Sequence, residues 1–302
     1  MNERTEFSVV CSEMGTHEAS LRYSGAMCQS GALAVELQLQ SLFGYYKYNR
    51  IALTIESPGG ELSSLEYVLR SLGKWAKEGR YVAVQSTFQC ASAAAFLLSM
   101  GEWGERRVDR GTYLLFHSAR IAGTPEGMTA AYSNRISNTL NSLDRKLLGV
   151  MVDKMLAETG SVKGLSDLVL TRLRYVEAHW VDLAAQLSTL TNAIDGSRKP
   201  QWLKDFMKWA RFEADPKKLV AEMTKYLNQR VQRDIRMDLC EAYVLCLIDE
   251  IVDVIDADTV KLEGPKPELV RPLECSDSHI EVDGQAFDGV VPSDQTQSAM
   301  VS

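Results

Sequence analysis

The sequence predicts an α/β fold with a parallel sheet, joined to a run of additional helices, and three observations carry this. Through the first half, short β-like runs alternate with helical ones, the pattern of strands linked by crossover helices. After residue 129, apolar residues recur at alternating four and three spacing, which marks one long helix. Beyond residue 160 a second such seam appears, followed by turn and cap signals for further helices.

The elements follow in order. Strand candidates are Ser20 to Tyr23, Ile51 to Ile55, Tyr81 to Gln85 and Thr112 to Phe116. Helix candidates in the same half are Gly31 to Phe43, Leu62 to Lys77 and a short one beginning at Ser92. The long helix runs from about Thr129 to Leu156, with Ile136, Leu140, Leu143, Leu147 and Val150 on its apolar seam. The second seam holds Val169, Leu173, Val176, Trp180, Leu183, Leu187, Leu190 and Ile194, which a helix would set along one stripe. Asp195-Gly196-Ser197 breaks it. Lys199 to Phe212 is a second amphipathic segment, and Asp215-Pro216, a cap residue followed by proline at the first helical position, opens a third. Trp202, Phe206 and Trp209 with Lys204, Lys208 and Arg211 opposite suit either packing on neighbouring helices or an interfacial, partner-binding helix.

Composition narrows the function classes. A chain of 302 residues can bury a substantial core in one or two domains. A net charge of −7 gives no electrostatic reason to bind nucleic acid or an anionic membrane. The charged start is followed by no long apolar stretch, so no secretory signal is expected, and no apolar run is long enough for an integral membrane segment. Six cysteines lie scattered without C-x-x-C spacing, which argues against a disulfide framework and against a zinc site. A reducing cytoplasm is the expected location, and neither a metal nor a cofactor is expected. After Lys261 the chain is rich in Pro, Gly, Ser, Asp and Gln and reads as a disordered acidic tail.

The chemistry gathers around Ser92, within Gln89-Cys90-Ala91-Ser92-Ala93-Ala94-Ala95-Phe96-Leu97-Leu98. Ser57-Pro58-Gly59-Gly60 lies upstream and His117 downstream. A serine hydroxyl needs a base to take its proton, and the oxyanion it generates needs preorganised N–H donors. Ser92 at a helix start would have such donors beside it, although serine is also a common plain N-cap. His117, one of four histidines, ends an apolar strand, where a histidine is often structural. Asp234 could orient His117, or be one of many surface aspartates. Asp238 with Glu241 three residues on has the spacing of a helix capping box. Cys90 is close enough in sequence to be weighed as a nucleophile, but buried packing suits it better.

Those segments carry a family resemblance. Ile55-Glu56-Ser57-Pro58-Gly59-Gly60 resembles the "INSPGG" segment of the ClpP-type serine peptidases, and Gln89 to Leu98 resembles their "GQAASMGAFLL". Gly101, Gly104 and Arg106 leading to Leu114-Leu115-Phe116-His117 look like "G-x-x-G-x-R" and "VMIH", with the Ser-to-His interval matched without a gap. Thr159-Gly160 is similar to the "TG" that ends the family's handle helix. Arg233-Asp234, Glu241-Ala242 and Leu247-Ile248-Asp249 are similar to "RDRFLSAPEAVEYGLVD".

The resemblance covers roughly residues 20 to 160 and 230 to 256. It implies the ClpP/crotonase fold of stacked β-β-α units, with the long helix as the handle. The implied division is a core over 1–160, a helical insertion over 161–214, the rest of the core over 215–261 and a tail over 262–302. It also implies a triad of Ser92, His117 and Asp234, with Gly59 and Ala93 supplying the oxyanion-hole N–H groups. A peptide or unfolded protein would be the substrate, and a homo-oligomeric ring with an inner chamber, fed by an ATP-dependent unfoldase, the assembly. The insertion is expected to pack beside the handle, away from Ser92.

Three positions depart from the pattern: Ala93-Ala94 replaces Met-Gly, Ser118-Ala119 replaces Gln-Pro, and Cys246 replaces a helix-ending glycine. Two other classes stay open. A crotonase-type acyl-CoA hydratase or isomerase shares the fold without needing Ser92 or His117, and a non-catalytic ClpP-like structural subunit needs no triad. An α/β-hydrolase fits less well, since Ser92 lacks G-x-S-x-G and the chain order is Ser, His, Asp.

Overall fold

A computed structural model describes residues 7–13, 18–119, 130–188 and 194–252, which belong to one compact unit. The acidic tail and Leu190 lie outside the described residues. Phe7–Glu13 (β1) and Glu18–Gly25 (β2) form an antiparallel pair. Helix α1 (Gln29–Leu39) and a π-helical turn, Gln40–Tyr45, lead into β3 (Arg50–Glu56). Then come α2 (Leu62–Lys77), β4 (Tyr81–Ser86), β5 (Gln89–Ala91), α3 (Ala93–Ser99), β6 (Arg107–Asp109) and β7 (Tyr113–Leu115). The rest is helical, α4 (Ala130–Glu158), α5 (Val162–Ala178), α6 (Trp180–Leu187), α7 (Gln201–Met207), α8 (Pro216–Arg233) and α9 (Leu239–Val244), before a last strand β8 (Glu250–Val252).

The fold is mixed α/β. Six strands form one sheet in the order β1-β2-β3-β4-β6-β8, parallel except for β1 against β2, and β5 pairs with β7 in a small parallel sheet. Ile51, Leu53 and Ile55 on central β3 share one face and are almost wholly buried, and Thr54 on the other face is 7% exposed. Each such apolar side chain contributes roughly 1.5–3 kcal/mol by leaving water. Helix α2 turns Leu65, Val68 and Trp75 inward and leaves Glu66 and Arg70 paired outside at 2.8 Å. Strands β1, β5, β6 and β8 were not legible beforehand. Three of them are three residues long, too short for a period-two pattern to show.

The handle helix spans the expected range, but its buried stripe is not the expected one. Asp144, Leu148, Met151 and Met155 face inward, whereas Val150 is 53% exposed. The two stripes are neighbours on the helix wheel, and the presence of an aspartate in the buried one disguised it.

Within 161–214, Val169, Leu173, Val176, Trp180, Leu183 and Leu187 are all buried, across a helix break at His179. These helices are not a satellite beside the handle. Helix α5 touches α4 but packs mainly on α8 and α9. Its Arg172 is fully buried, donating to the carbonyls of Tyr243 and Ile248 (2.8 and 2.9 Å) and to Asp249 Oδ1 (3.1 Å). Asp249 also takes both arms of Arg106 at 2.7 Å and the Gly104 N–H at 2.8 Å. The amphipathic segment at α7 is a packing element, with Phe206 stacked on Trp209 and edge-on to Tyr226. At α8, Asp215 caps through the Lys218 N–H with Pro216 in the first turn. At α9, Asp238 accepts from the N–H groups of Cys240 and Glu241, but Glu241 turns to Arg230 and Tyr226, so only half of a capping box forms.

Candidate active site

The small sheet sets the geometry of the site. In β5 and β7, Ala91 stands opposite Leu115, so Ser92 and His117 leave the same ends of adjacent parallel strands. The Ser92 N–H donates to the Leu115 carbonyl at 2.8 Å, tying the serine to the histidine strand. On the other side Ser57 brackets β5, its N–H on Gln89 O (2.7 Å) and its carbonyl on the Ala91 N–H (3.0 Å). The Ser57-Pro58-Gly59-Gly60 turn is thereby held against the serine.

Ser92 has φ 56° and ψ −128°, a conformation a non-glycine residue adopts only when its surroundings impose it. The strain sits at the strand-to-helix turn and presents the side chain outward. The Ser92 carbonyl accepts from the Ala95 and Phe96 N–H groups, which starts α3. The N–H groups of Ala93 and Ala94 belong to the first turn, where no intrahelical carbonyl is available. Every residue of α3 is buried, and Phe96 meets Phe116 edge-on at 5.3 Å, so the helix start is rigid.

Gly59 and Gly60 are required as glycines. A Cβ on Gly59, at φ +95°, would lie 2.4 Å from Ser92 Cβ, and one on Gly60 would lie 2.0 Å from the Met27 carbonyl oxygen. The close approach brings the turn into contact with the nucleophile, but the Gly59 N–H donates to Ser57 Oγ at 3.0 Å. Gly60, not Gly59, lines the cleft. Sequence reasoning chose the first glycine of an adjacent pair. Only the fold, through the buried Ser57 hydroxyl, distinguishes the two.

The cleft has a volume of about 280 Å³. Ser92, Ala93 and His117 line it together with Pro58, Gly60, Glu61, Leu62, Phe96, Ala119 and Leu147. No described residue of 161–214 does. His117 is half-buried, and its Nδ1 lies 2.7 Å from the Ser118 carbonyl oxygen. A carbonyl only accepts, so this bond puts a proton on Nδ1 and leaves the Nε2 lone pair for a substrate or nucleophile.

His117 Nδ1 meets the Ser118 carbonyl, not the expected Asp234. Asp234 caps the end of α8 in the left-handed conformation (φ 51°, ψ 40°) with an exposed side chain, although Val231, three residues before it, accepts the Ser118 N–H at 3.0 Å. A buried carboxylate does lie near: Asp144 of α4, 2% exposed, accepts the Ala119 N–H at 2.8 Å.

Cys90 lies fully buried beneath the site, where burial pushes its thiol up to about 12. It does not compete as a nucleophile. Among the described residues, no three His, Cys, Asp or Glu side chains come together as a metal site would require, and no helix is long and apolar enough to cross a membrane. Compared with models of known families and with curated proteins, the chain matches none.

Proposed function

We infer that this chain is a serine peptidase of the ClpP type, on the ClpP/crotonase variant of its α/β fold. The observation that carries the reading is a single one. A strained Ser92 at the start of a buried helix shares a cleft with His117, whose Nδ1 bond to the Ser118 carbonyl leaves the Nε2 lone pair available to serve as base. In the reaction His117 Nε2 takes the Ser92 Oγ proton, Oγ attacks a peptide carbonyl carbon, and the Ala93 N–H and the Gly59-Gly60 turn face the resulting oxyanion. His117 then gives the proton to the leaving amine, and water resolves the acyl-enzyme by the reverse sequence. The substrate would be a peptide or unfolded protein, processed in the cytoplasm inside a homo-oligomeric ring with an ATP-dependent unfoldase as partner.

A second reading, a non-catalytic subunit of such an assembly, draws support from two observations. The Gly59 N–H is already engaged by Ser57, and the Asp234 side chain is exposed at the end of α8. One experiment separates the readings. Incubation with a fluorophosphonate probe should label the wild-type chain and leave Ser92→Ala unlabelled with the same melting temperature. Equal labelling of both, or none of either, would refute the peptidase.

A further inference from the structure

His117, Ser118, Ala119 and Asp144 form one hydrogen-bonded line. His117 Nδ1–H donates to the Ser118 carbonyl at 2.7 Å, and the Ala119 N–H donates to Asp144 Oδ1 at 2.8 Å. That carbonyl and that N–H are the two ends of the same planar peptide group. A carboxylate on the N–H end draws positive charge toward itself and leaves more negative charge on the carbonyl oxygen, so the two hydrogen bonds strengthen each other.

We propose that Asp144 is the carboxylate that positions His117, acting through the Ser118–Ala119 peptide group. The proposal rests on the serine-peptidase reading of the cleft. No proton travels along the line. The Ser92 proton goes to Nε2, Nδ1 keeps its own, and the polarised carbonyl stabilises the imidazolium as a directly bonded carboxylate would.

Three further facts support it. Asp144 is 2% exposed and forms no ion pair with any Lys or Arg among the described residues. A buried carboxylate held by one N–H costs stability, which a residue serving only to pack would avoid. The N–H it holds exists because residue 119 is alanine. Proline, which stands there in the pattern this segment resembles, has no N–H to offer.

The test uses the full chain with isotopically labelled histidine, and Asp144→Asn, which keeps the shape and an acceptor but removes the charge. The Nδ1–H proton resonance of His117, assigned by its loss in His117→Gln, should move upfield in Asp144→Asn, with a melting temperature no lower than that of the wild type. For a small peptide substrate, kcat should fall about tenfold with KM unchanged. Ala119→Pro, which deletes the N–H and leaves the carboxylate, should move the resonance the same way. If the resonance stays put in both variants while Ser92 is still labelled by a fluorophosphonate, the relay is wrong and the peptidase reading survives. If the resonance moves but wild-type Ser92 is never labelled, the relay stands and the peptidase reading fails.

Discussion

Asp249 and Asp144 are buried to a similar degree, yet the first is gripped by two guanidinium groups and two backbone N–H groups while the second is held by one N–H. At the first, every lone pair has a donor, and burial of the carboxylate is outweighed by Arg106 and Arg172, which bring its pKa down to about 2. At the second, charge is left facing a peptide group on the rim of a cleft. The difference separates a junction that holds the molecule together from a region that is under-satisfied, strained at Ser92 and open to a ligand.

Breaking the junction should give the largest effect. Arg172→Met fits a similar volume but leaves the carbonyls of Tyr243 and Ile248 without their donor and Asp249 with one cation. A loss of about 3–5 kcal/mol is expected in urea unfolding. Because Arg172 comes from α5 and Asp249 precedes β8, the cost measures how firmly the inserted helices are stitched to the core. A loss under about 1 kcal/mol would show that the pair is dispensable and the helices are attached by apolar packing alone.

Disturbing the cleft should cost less stability and more chemistry. Gly59→Ala forces a Cβ against Ser92 Cβ and the Ala91 carbonyl at a positive φ, for which about 1–3 kcal/mol is expected. Fluorophosphonate labelling should disappear, because the serine is displaced by the same clash. Full labelling in a folded Gly59→Ala would show that the turn is not the wall of the reacting site.

How much of this was legible follows the same division. Strands β2, β3, β4 and β7 and helices α1, α2, α4 and α8 announce themselves through periodicity and caps. Ser92, Ala93 and His117 meet in one cleft because β5 and β7 pair in register, a pairing the sequence did not show because β5 is only three residues long. The histidine's true acceptor did not show. Ser118 O is a backbone atom, and Asp144 looks like any polar residue on a long helix until the neighbouring stripe, Leu148, Met151 and Met155, is known to be the buried one. Arg172 was hidden for the same reason, a charge on an apolar helix whose partner lies 77 residues away. Cys246 was marked as standing where a glycine usually ends a helix, and it takes φ +58° there, with its carbonyl held by Arg106 at 2.9 Å.

The most gradual effect expected is one of pH, and it sets Asp249 against a third aspartate. Asp238 caps α9, and burial, only partly offset by the N–H groups of Cys240 and Glu241, pushes its carboxyl up to about 6. Its folded form therefore binds a proton more readily than the unfolded chain does between about pH 4 and 6, and stability should fall as pH rises through that window. Asp249 has the opposite sign. Its contribution, roughly 2 kcal/mol, is complete above about pH 4 and is lost as pH falls toward 2. These two groups alone put their joint optimum near pH 4. Urea midpoints measured from about pH 3 to about pH 7 should show the decline on the alkaline side, worth roughly 2–3 kcal/mol. Asp238→Asn, which still caps the helix but cannot titrate, should flatten it. An unchanged slope in that variant would mean that the Asp238 carboxyl is already ionised in the folded protein, with the α9 cap stabilising its charge against the cost of burial.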